Sequence, residues 1–267
     1  MAKAEAKSLK GKAVLITGAA RRLGRDVALA AAKQGADVAI TFLSSEREAR
    51  ETIVDIGGFG VRAVALRCDV RDQKNVQQVV KECVRELGGI DVLINNAGFY
   101  ETVDFDKITV EQWDHMFESN TRGPFLMTQA ALKPLRARKG KVINLGSLGG
   151  VKPWADHAHY CASKAALHML TKVMAKTMAP EIAVNCVAPG MIELEEEGVQ
   201  VRRAGGGAAR KAAMTRHQEF MKKMSSRAPM KMNGSAADVT EAVMFFATAS
   251  RFITGQIMLV DGGLELV

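Results

Sequence analysis

The sequence predicts an α/β fold, a doubly wound parallel sheet of seven strands with helices on both faces. Three observations lead there. Short apolar runs alternate with longer amphipathic stretches along the chain, and the first run ends in a glycine turn that opens a helix. The composition, 48% hydrophobic and 25% charged over 267 residues, excludes disordered, fibrous and disulfide-stapled classes. Alternation of this kind is the pattern of strands joined by helical crossovers, and the length suits one domain with a full core.

The strand candidates are residues 13–17, 38–42, 63–68, 92–95, 141–145, 183–188 and 257–260, each a short run rich in Val, Ile, Leu and Ala. Between them, 25–34, 46–55, 75–87, 110–132, 163–178 and 237–246 read as helices, several followed by a glycine suited to a left-handed cap. Residues 1–8 read as a frayed tail, and 9–267 as the domain. One irregular stretch, 191–235, holds Glu195, Glu196 and Glu197, the run Gly205, Gly206 and Gly207, and many methionines. Met214, Phe220, Met221 and Met224 recur at near-helical spacing, with Met230 and Met232 beyond. Two readings stay open, a mobile apolar lid hinged on the glycines or a helix packed permanently on the core.

The net charge of +8 is spread along the chain and interleaved with acids, which argues against a nucleic-acid partner. Cys68, Cys83, Cys161 and Cys186 form no CxxC pair and no metal-ligand spacing, so they read as reduced thiols of a cytoplasmic protein without a metal. Neither a signal peptide nor a membrane span is expected from the apolar patterning.

Chemistry enters at the first strand. It runs into Gly18-Ala19-Ala20-Arg21-Arg22-Leu23-Gly24 and then into a helix. A strand, glycine turn and helix N-terminus make a pyrophosphate cradle, because unpaired N–H groups and the positive dipole end point at the anion. The second strand ends Phe42-Leu43-Ser44-Ser45 with no carboxylate. An acid at that position would bind a ribose 2′-hydroxyl; hydroxyls with Arg21 suit a 2′-phosphate, and so NADPH over NADH.

Further along come Asn95-Asn96-Ala97-Gly98, Ser147 after the fifth strand, and Tyr160 with Lys164 four residues on. A Tyr and Lys at i, i+4 share a helix face, which lets the ammonium lower the phenol's pKa. Bringing a tyrosine from about 10 to near 7 takes roughly 4 kcal/mol, more than a surface ion pair supplies. The glycine turn, the NNAG element, Asn120, Ser147, Tyr160 and Lys164, in that order, resemble the classical short-chain dehydrogenase/reductase family from about residue 9 to 264. In pattern the chain is most similar to 3-oxoacyl-carrier-protein reductases, including Ile253-Thr254-Gly255-Gln256 and Asp261-Gly262-Gly263. Arg22 stands where the middle glycine of the motif TGxxxGxG is expected, a variant resembling pteridine reductases.

The resemblance implies a single-domain Rossmann fold and a homotetramer, or a homodimer, pairing the helices around Asn120 and Tyr160. It implies Tyr160 as general acid toward a carbonyl, Ser147 as its orienter, Lys164 as pKa tuner and ribose anchor, and Asn120 as holder of a water behind Lys164. Asp69 and Val70 would border the adenine, Asn96, Ala97 and Gly98 the cofactor, and Pro189, Gly190 and Ile192 the nicotinamide carboxamide. Leu194 replaces the usual threonine there. By proximity in sequence, Phe99, Tyr100, Leu148, Trp154 and His157 are candidates for the substrate side. His157 and His159 are acid/base helpers or ordinary structural histidines. The expected activity is NADPH-dependent reduction of a ketone, aldehyde or 3-oxoacyl thioester, the alternatives being a pteridine-type C=N reductase and a non-catalytic NADPH sensor.

Overall fold

The computed structural model describes residues 8–193 and 207–267. Seven strands form one parallel sheet: β1 (Ala13–Ile16), β2 (Asp37–Phe42), β3 (Ala63–Arg67), β4 (Val92–Asn95), β5 (Lys141–Leu145), β6 (Ala183–Pro189) and β9 (Ile257–Val260). Their spatial order is β3-β2-β1-β4-β5-β6-β9, so the chain reverses direction across the sheet between β1 and β4. In doubly wound sheets ligands bind at such a switch point, beyond the carboxyl ends of the strands.

Both faces are covered, which is why the strands read as apolar runs without alternation. Val14, Ile16, Val38, Ile40 and Ile94 pack on one side with α1 (Arg22–Lys33), α2 (Glu46–Gly57) and α8 (Ala236–Thr248). Leu15, Ala39, Leu93, Val142 and Val184 pack on the other with α3 (Gln73–Leu87), α5 (Gly123–Arg138) and α6 (Ala158–Met178). A polar line crosses the centre. Asn95 donates to Asn144 Oδ1 at 2.8 Å, and Asn144 donates to Thr171 Oγ1 at 2.9 Å, tying β4 to β5 and α6. These buried donors, each paired across neighbouring elements, fix the register that carries the site.

Three helices differ from the sequence reading by more than two residues. α1 begins at Arg22 and not 25, because the Arg25 N–H already bonds back to the Arg21 carbonyl at 3.4 Å, with Arg22 between them at φ 56°. α6 begins at Ala158, five residues before the expected start, since the apolar spacing is weak in the turn that bears Tyr160. The expected helix 110–132 is α4 (Val110–Phe117), a π-turn at Glu118–Arg122, and α5. Apolar periodicity does not register a one-residue widening, and π-turns concentrate where a side chain must be re-aimed. Here the re-aimed residue is Asn120.

The excursion after β6 is pinned by a two-stranded ribbon, β7 (Ile192–Glu193) beside β8 (Gly234–Ser235), and carries α7 (Ala208–Arg227). Gly207 precedes α7 at φ 65°; Gly205, Gly206, Leu194 and Glu195–Glu197 lie outside the described residues. The methionines do not share one face. Met221 is buried and Met224 packs with Leu148, Ala228 and Leu264, whereas Met214, Met230 and Met232 are exposed. Ser8, assigned to the tail, is held by Gln34 Oε1 at 2.9 Å from its hydroxyl. No described helix is long and apolar enough to cross a membrane, and no cluster of His, Cys, Asp or Glu among the described residues is arranged to hold a metal.

Candidate active site

At the switch point the ends of β1 to β4 enclose a cavity of about 480 Å³. Gly18 leaves β1 at φ 63°, and a Cβ there would lie 2.9 Å from the Cα of Ala97. A Cβ on Gly24 would lie 2.6 Å from Asn96 Nδ2 and 2.7 Å from the Gly18 carbonyl. Both glycines therefore let the backbone close on itself. The Thr17 hydroxyl accepts from the N–H groups of Asn96 and Ala97 at 3.0 and 2.9 Å, and Asn96 Nδ2 donates back to the carbonyls of Thr17 and Gly18. Arg22 keeps the left-handed backbone that a glycine would take, at a cost of about 1–2 kcal/mol.

The N-terminus of α1 has no side-chain cap and no acid in its first turn, so its amides are open to an anion. Arg21, Arg22, Leu23, Ser44 and Ser45 line the cavity, as do Asp69, Val70, Asn96, Ala97 and Gly98. This donor set fits a nicotinamide dinucleotide: bare backbone and helix amides for a pyrophosphate, hydroxyls and Arg21 at the end of β2. Sequence reasoning missed Arg71 and His115 in the same wall. Arg71 binds both Asp69 oxygens, Nη2 to Oδ2 at 2.7 Å and Nε to Oδ1 at 2.9 Å, and meets His115 Nδ1 at 2.8 Å. The guanidinium holds the Asp69 carboxyl below the usual carboxylate range. The spacing of two residues from Asp69 was the available signal.

Arg22, Leu23 and Asn96 also line a second cavity of about 350 Å³, shared with Ser147, Tyr160, Pro189, Gly190 and Ile192. Ser147 lines this cavity beside the Tyr160 phenol and favours its ionised form, and its Oγ accepts from the Gly149 N–H at 3.1 Å. Lys164 lies behind, 7% exposed, with Nζ donating to the Leu145 carbonyl at 2.7 Å and standing 5.8 Å from the Tyr160 ring centroid.

One expectation differs in the free protein. Burial pushes the Tyr160 phenol up to about 12, against the lowering effect of Ser147, while the Lys164 ammonium is held at the Leu145 carbonyl. Burial also brings Lys164 down to about 8. The Asn120 side chain braces the loop after β4. Its Oδ1 accepts from Phe99 N at 2.7 Å, while Nδ2 donates to the Phe99 carbonyl at 2.9 Å and to Ser163 Oγ at 3.0 Å.

That grip on Phe99 explains a further difference. Phe99 lines the first cavity, edge-on to His115, while Tyr100 turns to the opposite side, as successive residues of an extended segment do. Tyr100, Leu148, Trp154 and His157 line a third cavity of about 560 Å³, which shares Tyr100, Trp154 and Phe220 with the second. His159 is fully buried on α6 and lines none of these cavities.

Residues 18–265 match the family model described as Enoyl-(Acyl carrier protein) reductase. The chain is 32% identical over 258 residues to a 3-oxoacyl-[acyl-carrier-protein] reductase of Staphylococcus aureus, covering 96% of this chain and 98% of the relative. It is 34% identical over 263 residues to a short-chain dehydrogenase/reductase of Hericium erinaceus, covering 96% and 98%. Among solved structures, a blue fluorescent protein from a metagenomic library in complex with NADPH superposes with a TM-score of 0.84 at 29% identity, covering 96% of this chain and 99% of that one.

Proposed function

The chain belongs to the short-chain dehydrogenase/reductase family of oxidoreductases, and from that premise we propose that it is an NADPH-dependent carbonyl reductase in which Tyr160 protonates the carbonyl oxygen. The observation that carries the reading is that Tyr160 and Ser147 line one cavity, which shares Arg22, Leu23 and Asn96 with the glycine cradle. A bound nicotinamide would supply the hydride. Ser147 orients the carbonyl oxygen toward Tyr160, which stays protonated at neutral pH and so holds the proton to be given. Lys164, anchored on Leu145, holds positive charge behind the phenol, and Pro189, Gly190 and Ile192 close the far wall. Relatives named for 3-oxoacyl thioesters make that class the first to assay.

For the cofactor, Arg21, Ser44 and Ser45 line the cavity at the end of β2 without a carboxylate among them, and Arg67 reaches the Leu43 carbonyl at 3.2 Å nearby. NADPH is therefore expected to exceed NADH by at least about tenfold in kcat/KM, about 1.4 kcal/mol of transition-state binding. Steady-state rates with the two cofactors on one 3-oxoacyl thioester check this, and equal use of both would refute the charge argument.

One observation favours a second reading. Arg22, the residue of the pteridine-reductase-like variant, lines both the cradle and the catalytic cavity, where a guanidinium suits an electron-rich heterocycle. A dihydropteridine belongs in the same assay. The four cysteines are free, in keeping with a reducing cytoplasm, and the exposed Phe125, Met169 and Val173 of α5 and α6 suit the pairing of helices in a homotetramer.

The excursion 191–235 is proposed as the substrate-covering segment, with Phe220 of α7 in the wall of both substrate-side cavities. If α7 closes over the substrate, its amides from 214 to 224 exchange faster in the free protein than with NADPH and ligand bound, and bulky apolar carbonyl compounds are reduced better than small polar ones. Equal, strong protection in both states would make α7 a permanent wall.

A further inference from the structure

A second set of polar groups faces the substrate cavities beside Tyr160, and the chemistry above does not use it. Asp156 Oδ1 lies 2.6 Å from His157 Nδ1, and His157 Nε2 lies 2.5 Å from the Tyr100 hydroxyl. Thr102 Oγ1 stands 3.1 Å from the same Nε2. The rings are locked as well: Tyr100 stacks on His157 at 4.9 Å, Trp154 meets His157 edge-on at 5.5 Å, and Tyr100 meets Tyr160 edge-on at 5.0 Å. A backbone bond from Val103 N to the Asp156 carbonyl, 3.0 Å, ties the two loops together. His157 is buried, whereas the Asp156 side chain is 49% exposed. From outside inward the order is solvent, carboxylate, imidazole, phenol, cavity.

Valence sets the direction of each bond. A carboxylate only accepts, so His157 Nδ1 carries the ring proton, and in the neutral ring Nε2 is left as an acceptor. The Tyr100 phenol then gives its one proton to Nε2. What it offers elsewhere is lone-pair density, and Tyr100 lines both substrate-side cavities. Burial raises its pKa, which keeps the phenol protonated and the chain of bonds intact.

We propose that Asp156, His157 and Tyr100 present a fixed hydrogen-bond acceptor in the wall of the substrate site, selecting carbonyl compounds that carry a hydroxyl or N–H donor next to the reacting carbonyl. The inference rests on the carbonyl-reductase reading, which puts the reacting carbon at Tyr160, one ring away from Tyr100. Thr102 meets the phenol oxygen from the loop side, and a substrate with an ether or methylene at that point leaves the cavity-facing lone pair without a donor.

The test uses 2-hydroxyacetophenone and 2-methoxyacetophenone with the full chain at pH 8. They differ in the donor and leave the reacting carbonyl alike. The hydroxy ketone is expected to be favoured about tenfold in kcat/KM, mostly through KM, the size of one hydrogen bond between neutral groups. In Y100F the ratio falls to about one. H157F keeps an aromatic ring in the stack but frees the phenolic proton, so the methoxy ketone gains relative to the hydroxy ketone; a purely structural role would depress both alike. A wild-type ratio near one, or a Y100F ratio that stays near ten, overturns the proposal. Calorimetric binding of the same two ketones with NADP+ present reads the same preference without turnover. Failure to reduce any ketone therefore overturns the carbonyl-reductase reading, while the binding ratio still decides for or against the acceptor.

Discussion

Tyr160→Phe is expected to lower kcat for carbonyl reduction by at least about 10²–10⁴-fold, the range associated with loss of a positioned acid, while the dissociation constant for NADPH changes little. The substitution removes one oxygen. Phe retains the ring that meets Tyr100 edge-on at 5.0 Å and the packing over Lys164, so the cradle at Gly18 and Gly24 is untouched. What disappears is the proton beside Ser147. Because burial keeps the free-protein phenol protonated up to about 12, the wild-type reduction rate should not fall through deprotonation of Tyr160 anywhere in the neutral range. Single-turnover rates, with NADPH binding followed by fluorescence, separate the two quantities. Near wild-type turnover in Y160F would remove Tyr160 from the chemistry.

How far the molecule was legible in advance depended on the kind of interaction. All seven strands of the main sheet were readable, because a parallel strand buried on both faces leaves an unbroken apolar run such as Val14, Leu15 and Ile16. The residues of the cradle were readable too, since bare backbone at Gly18 and Gly24 requires glycine in the sequence. The orientation of single polar groups was not. Whether Lys164 Nζ turns to Tyr160 or to the Leu145 carbonyl is decided by a few ångströms, and i, i+4 spacing allows both. The π-turn at Asn120 left no mark on the periodicity, and it sends Phe99 to the cofactor side and Tyr100 to the substrate side. Arg71 was not legible, because a charge two residues from Asp69 allows an ion pair without showing that the pair faces the cavity.

Lys164→Met should separate activity from stability. Its removal takes away the cation behind Tyr160, and kcat/KM is expected to drop by at least about a hundredfold, with weaker NADPH binding. Stability responds differently. Burial brings the folded-state pKa of Lys164 to about 8 from an unfolded value of 10.5, so between those two pH values the unfolded chain binds more protons at this residue than the folded one. Unfolding free energy from this group therefore rises with pH across that window and is lost as pH falls through about 8. The slope approaches about 1.4 kcal/mol per pH unit, and the contribution is flat at lower pH. Cys68, Cys83 and Cys186, each pushed up to about 12, act in the opposite sense above about pH 9, but they are present in both proteins and largely cancel in the comparison. His168, held down to about 4 by burial and then by the Lys164 charge, titrates below the window. Urea unfolding of wild type and K164M in the absence of cofactor, from pH 7 to 10, should show wild type gaining on the variant only above about pH 8. A difference that stays constant across the range would mean that Lys164 is not desolvated in the free protein, and that its ammonium is available to Tyr160 without a cofactor.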